Sequence, residues 1–125
     1  MPALNKGSVL ITGDAAHATS PHLGCGAGFA VEDSAFLAEL LSDKRLKSPQ
    51  DLTKAFAIFD RIRRERGQWL VENSRFVGKM YDLEMGNDMK KIQDEMEARY
   101  RVVNGYNLQD SCEKAKEELA RELQV

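Results

Sequence analysis

The residues best placed to do organised chemistry fall in one short segment, Gly13-Asp14-Ala15-Ala16-His17-Ala18-Thr19-Ser20-Pro21-His22-Leu23-Gly24-Cys25-Gly26-Ala27-Gly28, followed by Phe29-Ala30-Val31-Glu32-Asp33-Ser34. An acid near the start of a tight loop can accept a hydrogen bond from a sugar-like hydroxyl. Glycines beyond it let a backbone approach a flat ring closely, where any Cβ would intervene. If a helix begins at those glycines, its unpaired N–H groups and dipole favour negative charge by roughly 0.3–1 kcal/mol. Other chemistries fit less well. His17, His22, Cys25 and Asp14 match no standard zinc spacing, so no metal site is expected. Nothing in the sequence brings Cys25 to a histidine that would activate it as a nucleophile. A dinucleotide fingerprint starting at Gly24 fails because Phe29 holds the place of the third glycine.

The segment needs a strand before it and a helix after it. Ser8-Val9-Leu10-Ile11-Thr12, between Gly7 and Gly13, predicts a buried strand. The stretch 14–26 predicts a loop, and the apolar spacing of Ala30, Val31, Ala35, Leu37, Ala38 and Leu41 predicts a helix over 27–41. Ser48-Pro49-Gln50-Asp51 is a strong helix start. A stripe through Leu52, Phe56, Phe59, Ile62, Trp69, Leu70, Phe76, Val77 and Met80 extends that helix far, with Gly67 and Gly78 as weak points or contact sites. Gly86-Asn87-Asp88 reads as a break, 89–102 as a further helix and Asn104-Gly105-Tyr106-Asn107 as a turn. A charged terminal helix opens at Asp110 or Ser111 and is expected to lie as a solvated cap, with Cys112 at or near the surface. Arg61, Arg63, Arg64 and Arg66, interleaved with Asp60 and Glu65, are expected to form an ion-paired, solvated face. The expected fold is mostly α with a single N-terminal β-strand. A lone strand leaves its backbone groups unpaired, so another polypeptide, a second copy or an unrecognised strand must pair with it.

Composition sets outer bounds. The 125 residues fit one domain, with 1–47 carrying the strand, loop and helix and 48–125 the helical remainder. A net charge of −2 with dispersed basic residues argues against nucleic acid as a partner. No apolar run approaches the ~18 residues of a membrane span, and the N-terminus has no signal-like apolar stretch. Two cysteines without paired spacing suggest a reducing, cytoplasmic setting.

The segment from Gly13 to Asp33 resembles the second FAD-binding motif of the group A FAD-dependent monooxygenases, the aromatic hydroxylases, in their salicylate-hydroxylase-like branch. That pattern is Gly-Asp-Ala-Ala-His, a proline, Gly-x-Gly and a helix carrying Glu-Asp. The resemblance implies that Asp14 contacts the ribityl chain of FAD and that Pro21 lies near the isoalloxazine face. It implies backbone N–H groups of Gly26, Ala27 and Gly28 at the ring, with Gly24 in the same cofactor-binding set. Glu32 and Asp33 match the family's acidic pair, a structural feature. Phe59 to Arg66 and Ser74 resemble the family's Tyr-Glu-x-x-Arg-x-x-Arg helix and later serine, and 104–118 more faintly resembles its C-terminal segment. The chain thus corresponds to the C-terminal part of a FAD/NAD(P)-binding, Rossmann-like α/β fold; the N-terminal ADP-binding Gly-x-Gly-x-x-Gly and Asp-Gly motifs are not among these residues.

For function, the resemblance implies NAD(P)H-dependent, FAD-mediated oxygenation of an aromatic or polyketide-like metabolite if an N-terminal region completes the chain, either as a complementary polypeptide of a split enzyme or as the earlier part of a longer gene. No catalytic residue is identified. Two further readings stand beside it. One is a repurposed small-molecule-binding protein or non-redox cyclase or isomerase, self-associating as a homodimer that pairs its strand. The other is an inactive truncated relic.

Overall fold

The computed structural model describes residues 2–124, and they are mostly helical. A two-stranded antiparallel hairpin, β1 (Asn5–Lys6) and β2 (Val9–Leu10), pairs Asn5 with Leu10 and Lys6 with Val9. The partner of the expected strand is therefore the unrecognised one, hidden because Asn5 and Lys6 carry no apolar signal. The strand is also shorter than 8–12 and is not buried, since Val9 is 66% exposed. Two more hydrogen bonds fix the hairpin: Ile11 N–H to Leu4 O at 2.9 Å, and Leu4 N–H to Asp60 Oδ1 at 2.7 Å.

The stretch expected as loop contains a single helical turn, α1 (Asp14–His17), and a short 3-10 turn over Pro21–Leu23. α2 (Gly26–Leu41) follows, then α3 (Pro49–Tyr81), which runs 33 residues unbroken through Gly67 and Gly78. Its start is the one anticipated. The Ser48 side chain accepts from Asp51 N–H at 3.1 Å, while Asp51 Oδ2 accepts from Ser48 N–H at 3.0 Å. α4 (Met89–Asn104) is capped by Asp88, and α5 (Leu108–Leu123) by Asn107, a few residues earlier than expected.

Two apolar clusters form the core. Leu4, Phe36, Leu40, Ala55, Ile58, Phe59, Cys112, Ala115 and Leu119 make the first; Leu23, Phe29, Leu70, Val77 and Met80 make the second. Each large side chain removed from water in these clusters contributes about 1.5–3 kcal/mol. α5 is therefore a core element rather than a solvated cap, and Cys112 is buried. Its charged residues mask a stripe of Cys112, Ala115 and Leu119 that packs against α2 and α3. Gly67 and Gly78 are contact sites: a Cβ on Gly67 would lie 3.1 Å from His17 Cβ, and one on Gly78 would lie 2.9 Å from the His22 ring. Among the described residues, no helix is long and apolar enough to cross a membrane.

Candidate flavin-facing site and its buried support

The backbone turns sharply at Gly13, whose φ of 60° favours glycine, and enters α1 at Asp14. Asp14 follows the hairpin closely, as expected, and is exposed. Pro21 opens the 3-10 turn and is also exposed, and Gly24 closes that turn with φ 66°. α2 then begins without a side-chain cap, and its first helical hydrogen bond is Phe29 N–H to Cys25 O at 3.0 Å. The amides of Gly26, Ala27 and Gly28 precede that bond, so they are the orphan donors of the helix start. A Cβ on Gly24 or Gly28 would meet no protein atom within 4 Å, so neither glycine is required by packing at that point. This half of the site can offer a hydrogen-bond acceptor, several N–H donors and open space for a flat group.

None of these residues lines the concavity of about 450 Å³ bounded by Ala16, His17, Arg64, Gly67, Gln68 and Arg75. Cys25 donates its thiol hydrogen to Leu23 O at 3.0 Å. Burial pushes that thiol up in pKa, with Glu32 adding to the rise and Arg66 opposing it, which suits a structural cysteine and not a nucleophile. Among the described residues no group of three or more potential ligands could hold a metal.

Beneath this open surface lies a polar layer between the two apolar clusters. Asp33, only 1% exposed, accepts from His17 Nε2 at 2.7 Å and Gly13 N–H at 3.1 Å on Oδ2, and from Arg63 Nε at 2.7 Å on Oδ1. Arg63, also 1% exposed, donates further to Glu32 Oε2 at 2.9 Å and Tyr106 OH at 3.1 Å. Arg66 grips the same Glu32 through two bonds, at 2.7 and 2.8 Å, with its guanidinium between the rings of Phe29 and Tyr106. Burial pushes the Asp33 carboxyl up, but the hydrogen bonds from His17 and Arg63 and the Arg63 charge outweigh it and hold the group below its ordinary range. Glu32 behaves alike, with burial overcome by Arg66 and Arg63.

The expected solvated arginine face is therefore only half present. Arg61 pairs with Glu118, and Arg64 pairs with Asp60 at 3.5 Å. Arg63 and Arg66 turn inward to Glu32 and Asp33 on α2. Their i, i+3 spacing was a visible signal, because it gives two cations one helix face opposite an adjacent acidic pair. Tyr106, by contrast, carried no signal beyond its place in a turn.

Comparison with known proteins settles the family. A family model described as FAD binding domain matches residues 2–74. The chain is 42% identical over 117 residues to FAD-dependent monooxygenase orf3 of Aspergillus niger, an alignment covering 83% of this chain and 26% of that protein. The chain belongs to the FAD-binding domain family. FAD-dependent monooxygenase pigN of Monascus ruber is 36% identical over 129 residues, covering 95% of this chain and 30% of that protein. Among solved structures, a salicylate hydroxylase substrate complex superposes with a TM-score of 0.84 at 33% identity, covering 92% of this chain and 28% of that one. The chain thus spans less than a third of the length of these relatives. FAD is the cofactor of the family.

Proposed function

We propose that this chain supplies the isoalloxazine- and ribityl-facing part of a FAD-dependent monooxygenase, completed by the ADP-binding region that precedes the corresponding segment in such enzymes. The observation that carries it is the uncapped start of α2, where the amides of Gly26 to Gly28 precede the first helical hydrogen bond and a Cβ on Gly28 would enter open space. In this reading Asp14 accepts a hydrogen bond from a ribityl hydroxyl, and Pro21 and Gly24 border the ring. The N–H groups of Gly26, Ala27 and Gly28 stabilise negative charge at its pyrimidine edge, aided by the dipole of a 16-residue helix. FAD, reduced by NAD(P)H, supplies the oxygen-activating chemistry, and the protein holds and orients it. The substrate is a small aromatic or polyketide-like molecule, and the setting is the cytoplasm, in keeping with two free cysteines.

The chain is read as one domain, with residues 1–47 facing the flavin and residues 48–125 supporting them. Flavin absorbance and fluorescence titrations test the proposal, on the chain alone and with a complementary N-terminal polypeptide. Binding with a shifted flavin spectrum in either form is the expected result. A colourless chain in both forms would rule it out.

A further inference from the structure

Tyr106 and Ser111 lie beyond residue 74, where the family match ends, and far along the chain from the exposed surface of Asp14 to Gly28. A continuous path of hydrogen bonds nevertheless joins them to it. α1 has four residues and no side-chain cap, and a single helical turn is unfavourable by itself. One atom, Asp33 Oδ2, holds both of its ends through Gly13 N–H and His17 Nε2. The direction in which Asp14 points is therefore set by where the Asp33 carboxylate sits. Arg63 Nε sets that carboxylate through Oδ1, and Arg63 Nη1 in turn donates to Tyr106 OH at 3.1 Å. The Tyr106 hydroxyl donates to Ser111 Oγ at 2.9 Å, which leaves its lone pair aimed at the guanidinium.

We propose that Tyr106 is a positioning residue for the Asp14-bearing turn, acting through Arg63 and Asp33 so that the α4–α5 connection tunes FAD binding. Its consequence for FAD rests on the reading of residues 14–28 as flavin-facing; its consequence for α1 does not.

The test is Tyr106→Phe, which keeps the ring beside Arg66, 3.8 Å from its guanidinium carbon, and removes only the hydroxyl. Hydrogen exchange in the full chain should speed up about fivefold at the amides of Ala16, His17 and Ala18, with central α3 amides unchanged. Unchanged exchange at α1, or a uniform rise everywhere, overturns the proposal whether or not FAD binds. In the FAD-binding form, alone or with the N-terminal polypeptide, Tyr106→Phe should weaken FAD by about fivefold. That loss should disappear in an Asp14→Ala background, because the hydroxyl acts through Asp14. Independent, multiplying losses would also overturn the proposal. Faster α1 exchange in a chain that binds no FAD in either form would instead sustain the coupling and sink the flavin reading.

Discussion

The exposed turn-and-glycine surface and the ion-paired layer beneath it meet in the first turns of α2 and are opposite in physical character. Asp14, Pro21, Gly24, Ala27 and Gly28 are exposed and make few side-chain contacts, whereas Glu32, Asp33, Arg63 and Arg66 are buried or half-buried and heavily bonded. Charge density alone would have chosen the second group as the reactive one. Its electrostatics are largely spent internally, with each carboxylate held by guanidinium hydrogen bonds. The first group keeps its donors and its space uncommitted, which is what a surface needs in order to receive a ligand.

Removing a partner from the buried layer should give the largest effect. Asp33→Ala leaves the Arg63 charge without its closest carboxylate and unpins both ends of α1. A loss of about 3–5 kcal/mol is expected in urea denaturation. A loss below about 1 kcal/mol would erase the distinction between the two regions.

Acid should erode the same layer. Asp33 and Glu32 have folded pKa values below their ordinary 3.8 and 4.5, so on acidification the unfolded chain takes up these protons first. The stability they contribute is complete above the ordinary values and is lost as pH falls toward the depressed folded ones. Thermal midpoints should stay level down to about pH 5 and fall below it, and Glu32→Gln should flatten that fall. An unaltered acid slope in the variant would mean that other carboxylates carry it.

Gly67→Ala probes the close approach of α1 to α3. The new Cβ would lie 3.1 Å from both Cβ and Cδ2 of His17, a buried side chain tethered to Asp33. Overpacking of about 1–3 kcal/mol is expected. A neutral result would show that α1 can slide on α3.

The smallest stability effects should come from the open surface, together with the largest binding effects. Asp14→Ala should change stability by less than about 0.5 kcal/mol. Gly28→Ala should be neutral or stabilising by about 0.5–1 kcal/mol, since alanine favours a helix and finds open space there. Both should weaken FAD in the titrations above. Normal FAD affinity in Gly28→Ala would break the assignment of that surface.

Features that depend on near neighbours in the chain were legible in the sequence. Ser48, Pro49 and Asp51 marked the start of α3 because a capping box needs only those few positions. The glycines, Asp14 and Pro21 marked the family segment for the same reason, since their backbone requirements are local. β1 was missed because Asn5 and Lys6 have no strand character of their own and acquire it only from Val9 and Leu10.

What the sequence determined by itself was the helical content, the cofactor motif and the family, all set by local backbone preference and by side chains at short spacing. Tertiary structure alone decided which arginines turn inward, that α5 belongs to the core and that Tyr106 reaches Arg63. Those outcomes join residues 30 or more positions apart, as in the 30 between Arg63 and Asp33 and the 43 between Arg63 and Tyr106. The gain from burying a charge depends on a partner's distance and orientation, and no single stretch of chain specifies either.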